Sequence, residues 1–118
     1  MGWFRKATKE EKRSLLGEIK KELDDIRQMD VPRLQIGGGS MWRQFKILFS
    51  RRLKLAEDKF NILYKNVPRE ERDNLVPLSH MLELMFKHYK EGSYDHLGQA
   101  LVDAIAEIEH LLKEVYPS

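Results

Sequence analysis

Apolar residues recur along this chain at three- and four-residue spacing, the period of a helix that buries one face. In the first segment Leu15, Leu16, Ile19, Leu23, Ile26 and Met29 fall within an arc of about 140° on a helical wheel. Just upstream, Thr8-Lys9-Glu10-Glu11 fits a capping box, with Thr8 as N-cap and Glu11 reaching back to it. Val31-Pro32 closes the segment, because a residue before proline resists the α conformation. One amphipathic helix is predicted between these signals.

A second helix is predicted from about Met41 to Asn66. Trp42, Phe45, Phe49, Leu53, Ala56, Phe60, Leu63 and Val67 form a narrow aromatic-rich stripe of about 80°. Leu48, Leu55 and Ile62, spaced by sevens, form another about 100° away. Two stripes on one helix predict two packing neighbours, which would make this helix central. Pro68 and the acidic pair Glu70-Glu71 suit a short helical turn over residues 67–75. Val76-Pro77 restarts the chain into a third helix, about Leu78 to Lys90, predicted to bury Leu78, Met81, Leu82, Met85, Phe86 and Tyr89. Gly92 stops it and Ser93 caps a fourth helix. That helix runs from about Tyr94 to Val115, with Leu97, Leu101, Ala104, Ile108, Leu111 and Val115 inward and Ile105 and Leu112 widening the face. No segment alternates with period two, so no sheet is expected. The pattern predicts an all-α fold, a small helical bundle of about four helices, three long and one shorter, plus a short helical turn.

Length confirms the scale. At 118 residues and 14.0 kDa the chain is read as one domain, 1–118. Gly37-Gly38-Gly39-Ser40 is its only low-complexity stretch, and Met41 follows directly. Two readings stay open. Residues 37–40 are either a natural glycine-rich loop or an engineered spacer joining an amphipathic segment, 1–36, to a helical core, 41–118. No run of about 18 uncharged apolar residues is present, so no spanning helix is expected. Zero cysteines exclude disulfides, thiol catalysis and cysteine-based zinc sites. With no secretory signal read in the sequence, a cytoplasmic location is the expectation.

The net charge of +2 hides an asymmetry. Residues 1–65 carry 16 Lys/Arg against 9 Asp/Glu, and residues 66–118 carry 5 against 10. Within the second helix, Arg43, Lys46, Arg51, Lys54 and Lys65 lie away from the aromatic stripe, a candidate face for an anionic partner. Nucleic acid and an anionic membrane surface are both open, and so is a merely solvated face. The aromatics belong to the core stripe, so the cationic face has no platform for stacking bases. Trp3, Phe4, Arg5 and Lys6 combine rings with cations, the pattern of a membrane or partner anchor. The same rings would equally serve as a staple folded on the first helical turns.

Other chemistry finds little support. Glu107-Ile108-Glu109-His110 has the Glu-x-x-His spacing of carboxylate-bridged metal bundles, but no second copy exists and His110 falls on the solvated face. His80 and His88 stand three residues before Glu83 and Glu91, which favours local ion pairs over a shared ion. His96 is read as a surface residue without an obvious partner. No serine sits in a Gly-x-Ser-x-Gly elbow, and the glycine run lacks the lysine of a phosphate loop. No catalytic residue, metal or cofactor is therefore expected. The sequence favours a non-catalytic protein–protein interaction module, an adaptor in kind. Its first helix, anchored by Leu16, Ile19, Leu23 and Ile26, would pack on or bind to the 41–118 core. The expected partner is another protein or helical peptide, with pairing to a second copy also open. The alternative is a binder of an anionic partner through the basic face of the second helix.

Overall fold

The structure is a computed structural model that describes residues 7–29 and 39–118. The anchor candidates Trp3, Phe4, Arg5 and Lys6, and the closing Val31-Pro32, lie outside the described residues. Among the described residues four α-helices run in order, α1 Lys9–Arg27, α2 Gly39–Lys65, α3 Val76–Glu91 and α4 Tyr94–His110. A 3₁₀ turn, Arg69–Leu75, joins α2 to α3, and a π-helical turn, Leu111–Val115, continues α4. Among the described residues there is no strand, and the chain is a small all-α bundle.

Local signals explain the helix ends. Thr8 N–H donates to Glu11 Oε1 at 2.7 Å, and Glu11 N–H donates to Thr8 Oγ1 at 3.2 Å, completing the capping box. Pro77 sits in the first turn of α3, where its missing N–H costs nothing. Gly92 ends that helix at φ 74°, a left-handed conformation that glycine adopts without a Cβ clash. Ser93 does hold the N-cap position of α4, but its side chain makes no capping hydrogen bond. Gly39 and Ser40, read in the sequence as linker, stand at the head of α2.

The core forms where the stripes meet. Leu16, Ile19, Leu23 and Ile26 of α1 are fully buried; Phe45, Phe49, Leu53, Ala56, Phe60 and Leu63 of α2 are buried, as is Val67 just beyond it. The side chain of Trp42, expected on the same stripe, lies outside the described ones. Leu97, Leu101, Ala104, Ile105 and Ile108 of α4, with Leu111 of the π turn, complete the cluster. Burying each large side chain of this kind stabilises the fold by roughly 1.5–3 kcal/mol. Helix α1 packs extensively on α2 and also on α4, which in turn packs closely on α3; α2 and α3 meet only sparsely.

Two packing expectations are corrected. Among the described residues helix α2 has one broad neighbour, α1, rather than two, and its second stripe is left open: Leu48, Leu55 and Ile62 are 39%, 38% and 42% exposed. Phe86, expected in the core, is 39% exposed because α3 turns that face toward the gap beside α2.

Polar ties fasten α1 to the rest. Glu22, almost buried, accepts hydrogen bonds from Arg52 Nη1 at 2.9 Å and Lys59 Nζ at 3.2 Å. Lys59 also pairs with Glu18 and Arg52 with Asp25, each at 3.4 Å. At the other end Lys12 Nζ meets Glu71 at 2.9 Å, and Arg13 donates to the backbone carbonyls of Leu112 and Tyr116. Burial pushes the Tyr116 phenol up to about 12, with the Glu71 carboxylate adding to the effect.

Candidate interaction surface

Sparse packing between α2 and α3 leaves a cleft of about 570 Å³. It exists because the two helices are pinned at their ends and not in the middle. At one end the Tyr89 ring stacks on Phe49 with centroids 4.4 Å apart, and its hydroxyl donates to Lys46 O at 3.4 Å. At the other end Val67 and Leu75 are fully buried around the 3₁₀ turn. Between these pins Phe60 of α2 and Leu82 of α3 form an apolar floor, and the exposed ring of Phe86 forms a wall.

Charged groups of both signs line the rim, Glu57 on α2 and Glu83, Lys87, Lys90 and Glu91 on α3. Lys87 and Lys90 stand on the α3 side, with the Lys90 ammonium 4.5 Å from the centre of the Phe86 ring. That contact is a cation–π pair that also shields the ring from water. Across from them, burial pushes the Glu57 carboxyl above the ordinary carboxylate range; Lys54 offsets part of this, while neighbouring Asp58 and Glu83 add to it. Glu57 is thus an acid whose negative charge is incompletely compensated. A concave site of this volume, apolar at its base with a few polar groups at its edge, is suited to taking apolar side chains.

The residues singled out in the sequence fall elsewhere. Leu16, Ile19, Leu23 and Ile26 are brought together, but inside the bundle, facing α2 and α4. Arg43, Lys46, Arg51, Lys54 and Lys65 are all exposed on the outer side of α2. They do not form a clean stripe: they spread over an arc of about 140°, Lys54 pairs with Asp58 at 3.2 Å, and Ile47 stands 61% exposed among them. The two most engaged cations of the helix are Arg52 and Lys59, neither of which was singled out.

The histidines are partly as expected. His80 and His88 approach Glu83 and Glu91 at 4.0 Å, the outer limit of an ion pair. His96 does have a neighbour: its ring stacks on that of His88, centroids 5.3 Å apart. The sequence hid this contact because it crosses from α3 to α4. Among the described residues no three His, Asp or Glu side chains converge as a metal site requires. Nor, among them, is any helix long and apolar enough to cross a membrane.

The cleft was also invisible in the sequence. Phe60 reads as one more core aromatic, and only the splay of α2 from α3 turns it into a floor. Together these features define a small all-α bundle with an open interhelical cleft. Compared with known protein families, curated proteins and solved structures, the chain matches none.

Proposed function

We propose that the protein is a non-catalytic protein–protein interaction module of the cytoplasm, and that its α2–α3 cleft receives an amphipathic helix from a partner protein. The observation that carries this reading is the cleft itself, floored by Phe60 and Leu82 and walled by the exposed Phe86. Helix-in-groove recognition uses apolar anchors one or two turns apart, and the groove offers room for two such side chains. Charge specifies the partner further. A Lys or Arg beside the anchors would complement Glu57 and Glu83, and an Asp or Glu further along α3 would meet Lys87 and Lys90. Helix α1 is spent on the core in this reading, so its four anchors are not the recognition face.

The test is a selection from a displayed library of helical peptides on the full chain, with the enriched peptides then titrated against a Phe86→Glu variant. Enriched peptides are expected to carry two apolar anchors at three- or four-residue spacing with a neighbouring cation. They should lose at least roughly tenfold in affinity on Phe86→Glu. Enriched peptides that bind both proteins equally would overturn the reading.

The alternative, an anionic partner held by Arg43, Lys46, Arg51, Lys54 and Lys65, draws support from their exposure and is weakened by the Lys54–Asp58 pair. It requires steep salt dependence that an Arg51→Glu, Lys54→Glu double variant removes; undiminished binding in that variant would retire it.

A further inference from the structure

The opposite flank of α2 carries a second surface, independent of the cleft. Leu48, Leu55 and Ile62 are each more than a third exposed and lie seven residues apart, two helical turns, on one line. A heptad line of apolar residues on a helix is one half of a coiled-coil seam. This line is also symmetric about Leu55. We propose that it is covered by a second copy of this chain, with the two α2 helices antiparallel across a two-fold axis at Leu55.

Three observations select a second copy over an unrelated helix. First, the two-fold axis sets Leu55 against its own equivalent and Leu48 against Ile62 of the second copy, so every apolar residue of the line finds one opposite. That self-complementarity is what an isologous contact demands.

Second, the flanking charges match. Arg51 and Asp58 lie on the same side of the line, one turn before and one turn after the axis. Antiparallel pairing therefore brings Arg51 level with Asp58 of the second copy, twice over. Asp58 already holds Lys54 at 3.2 Å, so it would bridge two cations. On the other side Arg52 comes level with Lys59 of the second copy. Both of these cations are already held by Glu22, with Asp25 and Glu18 beside them, so the like charges are compensated within each chain.

Third, there is a place for the end residue. Beside Ile62 a shallow groove of about 280 Å³ runs between α1 and α2, lined chiefly by Ala7, Leu15, Ile62 and Asn66, with Glu11 and Ser14 at its edge. Leu48 of the second copy stands opposite this groove as a knob to its hole. Symmetry supplies the same fit at the other end.

The chain has no cysteine, which makes a cross-linking test clean. Leu55→Cys is expected to form a disulfide-linked homodimer under mild oxidation. Leu48→Cys alone is expected to form none, and Leu48→Cys mixed with Ile62→Cys to form the mixed dimer. Sedimentation equilibrium gives the second readout. The unmodified protein should show a dimer that Leu55→Lys weakens at least roughly tenfold, with its helical circular dichroism intact because Leu55 is already at the surface. Arg51→Asp and Asp58→Arg should each weaken the dimer, and the two combined in one chain should restore it, since both symmetric pairs are then re-formed with reversed sign. A protein that is monomeric at every concentration, a dimer indifferent to Leu55→Lys, or cross-linking through Leu48→Cys alone would each overturn the proposal. None of these outcomes bears on the α2–α3 cleft.

Discussion

At the scale of the residue, two glutamates of the same helix bundle are driven in opposite directions by their surroundings. Burial acts to raise the Glu22 carboxyl, but hydrogen bonds and charge from Arg52 and Lys59 outweigh it and leave it below the ordinary range. Glu57 is raised, chiefly by burial; Lys54 offsets part of this, and Asp58 and Glu83 add to it. The linkage signs follow. A depressed folded pKa means that Glu22 contributes stability above its unfolded pKa, and that this is lost as pH falls through the folded value. A raised one means that Glu57 favours the fold below its unfolded pKa, and that this is lost as pH rises through the folded value. Glu22→Gln should therefore destabilise at neutral pH, by roughly 1.5–3 kcal/mol for lost charge-assisted hydrogen bonds, with the difference shrinking in acid. Glu57→Gln should stabilise slightly at neutral pH, with its difference also fading in acid. Denaturant unfolding of both variants at neutral and acid pH checks the pair, and equal signs at neutral pH would refute this account.

At the scale of the element, each helix reflects its local code closely. The Thr8-x-x-Glu11 box, Pro77 in the first turn of α3 and left-handed Gly92 sit where the sequence puts them because such signals depend on neighbours three or four residues away. Two glycines have no such duty. Gly17 of α1 and Gly98 of α4 lie within helices, and a Cβ at either would meet nothing within 4 Å. Alanine removes the backbone freedom that glycine loses on folding, so Gly17→Ala and Gly98→Ala should each stabilise by up to about 1 kcal/mol. Thermal melts check this; a lower midpoint in either variant would mean that the site is not open. What the helical wheel did not give is the use made of each face. Phe86 has the spacing of a core residue and is exposed, while Leu48, Leu55 and Ile62 have the regularity of a packed seam and are each more than a third exposed.

At the scale of the molecule, α1 is a wall of the core rather than an ornament on it. Its four anchors are fully buried, and ties run from it to α2, the 3₁₀ turn and the carbonyls at the end of the π turn. Residues 41–118 alone would expose Phe45, Phe49 and Leu53, so that fragment is expected to keep helical content but lose cooperative unfolding. Adding a peptide of residues 1–36 should restore cooperativity, and a Leu23→Ala peptide should restore less, given the roughly 2–5 kcal/mol cost of such a truncation. Near-ultraviolet circular dichroism and thermal melts distinguish the outcomes. A fragment that unfolds cooperatively at the same midpoint without the peptide would make α1 dispensable to the core.

The sequence by itself determined the helices, the capping box of α1, the stop at Gly92 and the inward residues of α1, α2 and α4, because these follow from a 3.6-residue period and from contacts within a turn or two. It also exposed the charge asymmetry and the heptad line on α2. Only the tertiary structure decided which cations are spent, since Arg52 and Lys59 reach Glu22 across some thirty residues of chain. It likewise decided that α2 and α3 splay into a cleft, that His96 stacks on His88, and that the heptad line is left at the surface. Those are relations between helices, set by how four stripes of unequal width divide one core, and no local period carries them.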